Sequence, residues 1–335
     1  MVKIRKRRKP KPKPAGWDLW KDGVTYSFIA SYLACREQTR LAFCEMLRKK
    51  EDAYPLSYGS CIHWCLAEMA KLSKKPNRKK VLEYIQAYRK RFVDGTMTST
   101  TAQQNWERVE AIAEILLPGY VDYWSGDWTG KYRSDPTVEF VRPVKWIDLE
   151  ESFKVPYEYP DGKVAWLRGK RDGIFWSESK RIWLFETKVK SQINYDMIRE
   201  MLPWDFQVLF YMYTSNLPIC GVVYNLVRWP GFRSQDIAQV QDKVRDDIEA
   251  RPSYYFTRIN TEIGKDEIAT FKTTVLDPIM QEIRAWTEGK APHFMNPMAL
   301  TNRYGRSRFY EWIVYGNTNL YEQRETVFQE IEEDL

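Results

Sequence analysis

The stretch GKRDGIFWSESKRIWLFETKVK, residues 169–190, constrains the fold of this chain more than any other. Two apolar runs, GIFW and RIWLF, flank a polar turn at Ser177–Lys180 and read as the arms of a β-hairpin. Asp172, Glu186 and Lys188 stand in or beside those arms, where a plain core would exclude them. Side chains alternate along a strand, so Glu186 and Lys188 project from one face while Trp183, Phe185 and Thr187 take the other. A regular hairpin brings Asp172 toward Glu186 at the same edge of the sheet. Burying an unpaired charge costs several kcal/mol or more, so either these three groups face solvent or the fold pairs them.

Two converging carboxylates with an ammonium beside them suit metal-dependent hydrolysis. Hard oxygen ligands hold Mg²⁺ or Mn²⁺, and the lysine positions water or steadies charge developing on a phosphate. The plainer alternative is three exposed strand residues with a weak ion pair between Glu186 and Lys188. The spacing of the three does not decide between these readings, so the rest of the chain must.

Helical texture dominates the first part of the chain. YSFIASYLACREQTRLAFCEMLRK reads as an amphipathic helix opened by Ser27, and SYGSCIHWCLAEMAKLSKK as a second, entered through Ser57 and Gly59. Residues 77–124 continue as helix. From about Thr137 to Phe185 the pattern turns to strands broken at Asp161-Gly162 and at Ser177–Lys180. Tyr195 to Asn216 reads as helix, ICGVVYNLVRW as a further strand, and QDIAQVQDKVRDDIEA and DEIATFKTTVLDPIMQEIRAW as two more helices before an aromatic, irregular tail with an acidic end. This order predicts a mixed α/β core: a basic arm at 1–16, a helical segment at 17–150, and a core with a helical and aromatic extension at 151–335, the last two packed as one domain.

Charge is unevenly placed. MVKIRKRRKPKPKP, residues 1–14, carries eight basic residues and no acid; removing those eight from the 52 Lys and Arg leaves 44, against 45 Asp and Glu. The net charge of +7 therefore sits on a proline-broken arm beside a near-neutral body, which suits backbone phosphate contact, localisation or solubility. No window is apolar enough to span a membrane and no signal peptide is evident, so a cytoplasmic location is expected. Five cysteines form no even framework, and disulfides are not expected. Cys61 and Cys65 share a helix face and read as packed core.

LRGKRDGIFWSESKRIWLFETKVK resembles the core motif of the PD-(D/E)XK nuclease superfamily, in which a Gly-Lys-x-Asp strand end precedes an apolar strand ending in Asp or Glu, any residue, Lys. Three further segments are similar, in order, to the RecB-like exonuclease branch. SFIASYLACREQTRLAF is similar to its opening Ser-x-Leu, Tyr, Cys-Pro helix, with Arg36 where proline is usual. SYGSCIHWCLAE is similar to its Gly-x-x-x-His helix, and WDFQVLFYMY to its Gln-x-x-x-Tyr helix. The resemblance implies a restriction-endonuclease-like α/β core, a mixed central sheet flanked by helices, with a helical N-terminal insertion. It implies Mg²⁺ or Mn²⁺ held by His63, Asp172, Glu186 and the Thr187 backbone carbonyl. Lys188 would be the base or water-positioning group, and Gln207 and Tyr211, four apart on one helix face, would support it. Some members of the branch hold an iron–sulfur cluster on one early and three late cysteines. Cys35 matches the first position, but no cysteine follows Cys220, so no cluster is expected.

The expected function is a divalent-metal-dependent DNA nuclease, an exonuclease of phage or mobile-element recombination, repair or processing. The alternative is a non-catalytic DNA-binding or assembly subunit that keeps the fold. DNA is the expected partner. With no Walker phosphate loop in the chain, a single-strand-binding, annealing or helicase protein would be separate, and the oligomeric state is left open. If the arm contacts DNA backbone, each neutralised phosphate contributes about −0.9 on duplex or −0.7 on single strands to the slope of log affinity against log salt. Deleting residues 2–14 should then flatten that slope by several units while turnover at saturating DNA survives. An unchanged slope would assign the arm to localisation, a protein partner or solubility.

Overall fold

The computed structural model describes residues 16–50, 58–95, 100–131, 141–231, 236–302, 305–328 and 331. The basic arm of residues 1–14 and the expected helix start at Ser57 lie outside them. Contacts divide the chain into two compact units, one of residues 1–52, 156–167 and 284–335, the other of 53–155 and 168–283.

The second unit opens with three helices, α1 (Tyr58–Ala70), α2 (Arg78–Tyr88) and α3 (Thr100–Tyr123). Five strands follow: β1 (Pro143–Leu149), β2 (Gly173–Ser177), β3 (Ile182–Lys190), β4 (Ile219–Arg228) and β5 (Phe256–Glu262), hydrogen-bonded in that order. Only β3 and β4 pair in parallel; the other three pairs are antiparallel. A parallel pair requires a crossover, supplied here by the helix Tyr195–Met201 and by α4 (Phe206–Tyr213). A further helix, α5 (Ile237–Ala250), joins β4 to β5. The result is the mixed sheet flanked by helices that the sequence predicts.

Helices α1, α2, α3 and α5 share one core with Val227, Trp229 and Phe256, and their buried positions follow the 3.6-residue spacing, as in Val240, Val244 and Ile248. On β4 every residue is buried except the half-buried Cys220, which is why the strand reads as a continuous apolar run. Gly221 has no room for a side chain: a Cβ there would lie 2.2 Å from the Thr261 carbonyl oxygen and 2.7 Å from the Trp183 ring.

A polar chain crosses this core. Arg258 of β5, fully buried, binds both carboxylate oxygens of Asp127 and donates to the Tyr120 hydroxyl at 3.0 Å. Tyr120 donates to Asn225 Oδ1 at 3.1 Å, and Asn225 Nδ2 donates to Thr187 Oγ1 at 3.2 Å. The Trp124 ring covers the guanidinium at 4.1 Å. A buried ion pair is retained only where its hydrogen bonds are met in this way.

In the first unit, Thr25 rather than Ser27 caps the opening helix, its Oγ1 accepting from the Phe28 N–H at 3.1 Å. That helix covers Tyr26–Ala34 alone. Cys35 is extended, a short turn of helix follows at Arg36–Thr39 and a π-turn at Arg40–Cys44, and Leu47–Lys49 is a strand paired with Tyr321–Gln323. Apolar spacing runs unbroken through this break, so periodicity alone reads one helix. The Phe28 ring of that helix stacks on Trp17 and meets Phe43 at a tilt. At the expected Asp161-Gly162 turn, Gly162 adopts φ 79 and Asp161 takes both guanidinium nitrogens of Arg284, at 2.9 and 2.7 Å.

Two further expectations are corrected. The helix expected over 195–216 breaks at Asp205, whose carboxylate leaves helical geometry to accept the Val208 N–H at 3.0 Å and start α4 anew. The run VAWLRGKRDGIFW, read as one strand, is two: Val164–Lys170 and β2 belong to different sheets, parted at Arg171 and Asp172.

The buried ion pair generates a stability prediction. Asp127→Ala leaves Arg258 charged and without that partner in the core, and should cost about 3–5 kcal/mol in urea denaturation. The double variant Asp127→Leu with Arg258→Met should recover at least half of that loss. A single-variant effect below about 1 kcal/mol would place the pair in the range of exposed ion pairs and contradict its structural role.

Candidate metal centre

The hairpin register places the first two acidic groups. Gly173 pairs with Phe185, so one step beyond the ladder Asp172 comes alongside Glu186 and Thr187. The Thr187 backbone N–H donates to Asp172 Oδ2 at 2.6 Å, tying the break between the two sheets to β3. The Asp172 carbonyl in turn accepts the Glu150 N–H at 3.2 Å, and Glu150, just past β1, turns the chain with φ 57.

On α1, Cys61, Ile62 and Cys65 face the core, which turns His63 toward the sheet edge. Its Nδ1 lies 3.3 Å from Asp172 Oδ2. One ligand atom from each of His63, Glu150 and Asp172 falls within 4.8 Å of the others, a grouping that could hold a metal ion. Glu150 was not singled out by sequence; its only signal is the acidic run DLEE before a strand, which marks a turn as readily as a ligand.

Glu186 lies one residue further along β3 and is 2% exposed. Its Oε1 accepts from Lys188 Nζ at 2.7 Å, while its Oε2 is buried with no hydrogen-bond partner among the described residues. Lys188 also donates to Gln207 Oε1 at 2.6 Å, and Gln207 Nε2 donates to the Tyr211 hydroxyl at 3.2 Å. One turn of α4 thus holds the amide with its oxygen toward the ammonium. Asp205, the cap of α4, accepts from the Tyr224 hydroxyl of β4 at 3.2 Å and fixes the helix over this face of the sheet. All seven expected site residues converge here, with Thr187 entering through its backbone N–H.

The ionisable groups shift one another strongly. Burial and then the Asp172 charge raise Glu186 to about 7, against the pull of Lys188. Burial opposes the charged form of Asp172, but His63, the Thr187 N–H and Lys188 outweigh it and lower its pKa. Burial likewise opposes the charged forms of His63 and Lys188. The surrounding carboxylates prevail and raise both. Glu150 is raised by burial and by Asp172, although Lys170 sits 2.7 Å from its Oε2. His63, Glu150 and Asp172 form a hard, anionic donor set, with Glu186 outside that grouping but close enough to feel the charges of Asp172 and His63, and a divalent cation fits it in charge and ligand type.

His63, Glu150 and Asp172 also line a small cavity, together with Tyr120, Asp127, Trp128 and Thr187. Among the described residues, no helix is long and apolar enough to cross a membrane.

A search among curated proteins returned no match. Residues 24–216, more than half of the chain, match the family described as the PD-(D/E)XK nuclease superfamily. Those residues include the hairpin, the histidine helix and the helix of Gln207. Sheet, hairpin and family match agree, and the chain belongs to the PD-(D/E)XK nuclease superfamily, a group of divalent-metal nucleases.

Proposed function

We propose that this protein hydrolyses DNA phosphodiesters with Mg²⁺ or Mn²⁺, as an exonuclease of the RecB-like kind in phage or mobile-element DNA processing. The observation that carries the reading is the buried Glu186 Oε2 beside Asp172 and His63, without a hydrogen-bond partner among the described residues. An anionic oxygen in that setting is costly unless a cation meets it.

In this proposal His63, Asp172, Glu186 and the Thr187 carbonyl hold the metal, and Glu150 joins them. A divalent cation bound there would lower the pKa of water and neutralise phosphate charge. Every other task falls to the chain's own groups. Lys188 is held as an ammonium, since its pKa is raised, so it acts by positioning water and steadying charge on phosphate oxygens rather than as a base. Two of its three N–H bonds go to Glu186 and Gln207, leaving the third for substrate. Gln207 and Tyr211 keep that ammonium aimed. Supporting DNA as substrate are the four motif segments and the basic arm, which sits on an otherwise near-neutral chain.

Lys188→Ala should lower cleavage by at least about 100-fold, the scale of losing one preorganised charge stabiliser. Glu186→Gln should abolish cleavage to a similar degree without lowering thermal stability, because it removes a buried charge that lacks a full set of partners. Full activity in either variant, with a clean circular dichroism spectrum, would end the assignment.

The raised pKa of Glu186 fixes the sign of a pH dependence. Its folded value, about 7, exceeds the ordinary 4.5, so the metal-free folded state holds a proton that the unfolded chain has lost. The Glu186 contribution to metal-free stability should therefore decline as pH rises from about 4.5 to about 7. Metal competes with that proton, and Mn²⁺ or Mg²⁺ affinity measured by titration calorimetry should fall by up to about tenfold per pH unit below 7. A pH-independent affinity between pH 5.5 and 7.5 would remove Glu186 from the ligand set.

A further inference from the structure

None of the tasks in the hydrolytic scheme falls to Arg171, yet this arginine stands next to Asp172 at the parting of the two sheets and is only 6% exposed. Its side chain reaches the C-terminal end of α4. Nε donates to the Tyr211 carbonyl oxygen at 3.3 Å and Nη2 to the Thr214 hydroxyl at 3.1 Å. A cation suits that position, because the last carbonyls of a helix lack partners within it and carry partial negative charge. The Phe153 ring lies against the guanidinium, 3.9 Å from its central carbon, and meets the Tyr211 ring edge-on at 5.8 Å. Gly169 leaves room for that ring: a Cβ there would lie 2.6 Å from Phe153.

The backbone of the same residue serves the carboxylates. The Arg171 N–H donates to the Glu151 carbonyl at 3.2 Å, and the Glu150 N–H donates to the Asp172 carbonyl at 3.2 Å. These two bonds hold the Glu150 turn against the Asp172 bend. Arg171 is therefore bound through its main chain to the segment of Glu150 and Asp172, and through its side chain to the helix of Gln207 and Tyr211.

We propose that Arg171 is a positioning residue that sets the Lys188–Gln207 pair against the metal-centre carboxylates. The inference rests on the nuclease reading and adds to it a residue that acts through α4 rather than on substrate. Lys188 is carried by β3, but its long stem flexes, and the amide that aims it belongs to α4. The two halves of the site thus stay in register only if α4 is held at a fixed distance and angle. A guanidinium is a rigid planar fork, and two hydrogen bonds with a stacked ring fix both quantities, which a lysine ammonium could not do. A misplacement of about 1 Å in such an arrangement can cost on the order of 100-fold in rate.

Arg171→Met removes the fork, and Arg171→Lys keeps the charge without it. In Mg²⁺ or Mn²⁺ each should lower kcat on linear DNA at least about tenfold with KM within about twofold, while metal affinity by calorimetry changes less than about threefold. Gln207→Ala should also lower kcat. Because Arg171 acts through that amide, Arg171→Met combined with Gln207→Ala should lie within about threefold of Gln207→Ala alone. Deuterium exchange read by mass spectrometry should rise at least about fivefold over residues 206–213 and 148–153 together, with β4 unchanged. Should neither Arg171 variant fold by circular dichroism, Thr214→Val takes their place; it removes one acceptor of the fork and should give at least about a threefold loss of kcat with the same exchange pattern. A kcat within about twofold of the unaltered protein, losses that multiply in the double variant, or unchanged exchange over 206–213 would each overturn the proposal. Raised exchange in both segments, with no cleavage of any DNA by the unaltered protein, would leave the tie through Arg171 assigned and sink the nuclease reading instead.

Discussion

The hydrogen bond from the Thr187 N–H to the Asp172 carboxylate is the tie on which the site depends. It spans 2.6 Å at the point where the chain leaves one sheet and enters another. Without it Asp172 would be an acidic residue in a bend, free to turn to solvent. With it the carboxylate is held against β3, and the backbone of Asp172 holds Glu150 in turn. His63 then arrives from α1 to a position already fixed by the sheet. A backbone donor is well suited to this role, since its direction is set by the strand and cannot rotate away.

Behind the site the two faces of β3 do different work. One face carries Glu186 and Lys188 under α4, where the amide of Gln207 and the phenol of Tyr211 complete a chain of hydrogen bonds. From the other, Thr187 begins the polar chain that ends at Arg258 and Asp127. Removing either partner of that ion pair would leave a charge in a region packed with aromatic rings, so the network specifies how α3 and β5 meet as well as stabilising them. The tension at Glu186 is of the opposite kind: one oxygen is paired and one is not, which leaves the folded protein with a proton to give up to a cation.

Much of this was legible in the chain itself, for identifiable reasons. The hairpin at 169–190 follows from alternation and from its turn, and alternation alone assigns Glu186 and Lys188 to one face. Gln207 and Tyr211 came from the family resemblance, and helical spacing adds only that the two share a face. The family resemblance added His63, which by spacing alone is one histidine on a helix. Glu150 was not legible, because its place depends on a left-handed turn and on the carbonyl of a residue 22 positions later. The breaks at Cys35 and Asp205 were also hidden, since apolar periodicity runs through both while the backbone does not.

Local sequence therefore determined most of the strands and helices and the faces on which charged groups lie. These depend on periods of two and 3.6 residues, which neighbours along the chain settle among themselves. Tertiary structure decided the rest: the parallel pairing of β3 with β4, the assembly of each compact unit from separated segments, the joining of Glu150 to His63 and Asp172, and the cavity that opens beside them. Each of these is a contact between residues far apart in sequence. Such contacts are selected by how apolar faces bury and how buried polar atoms find partners, and a linear reading carries no distances.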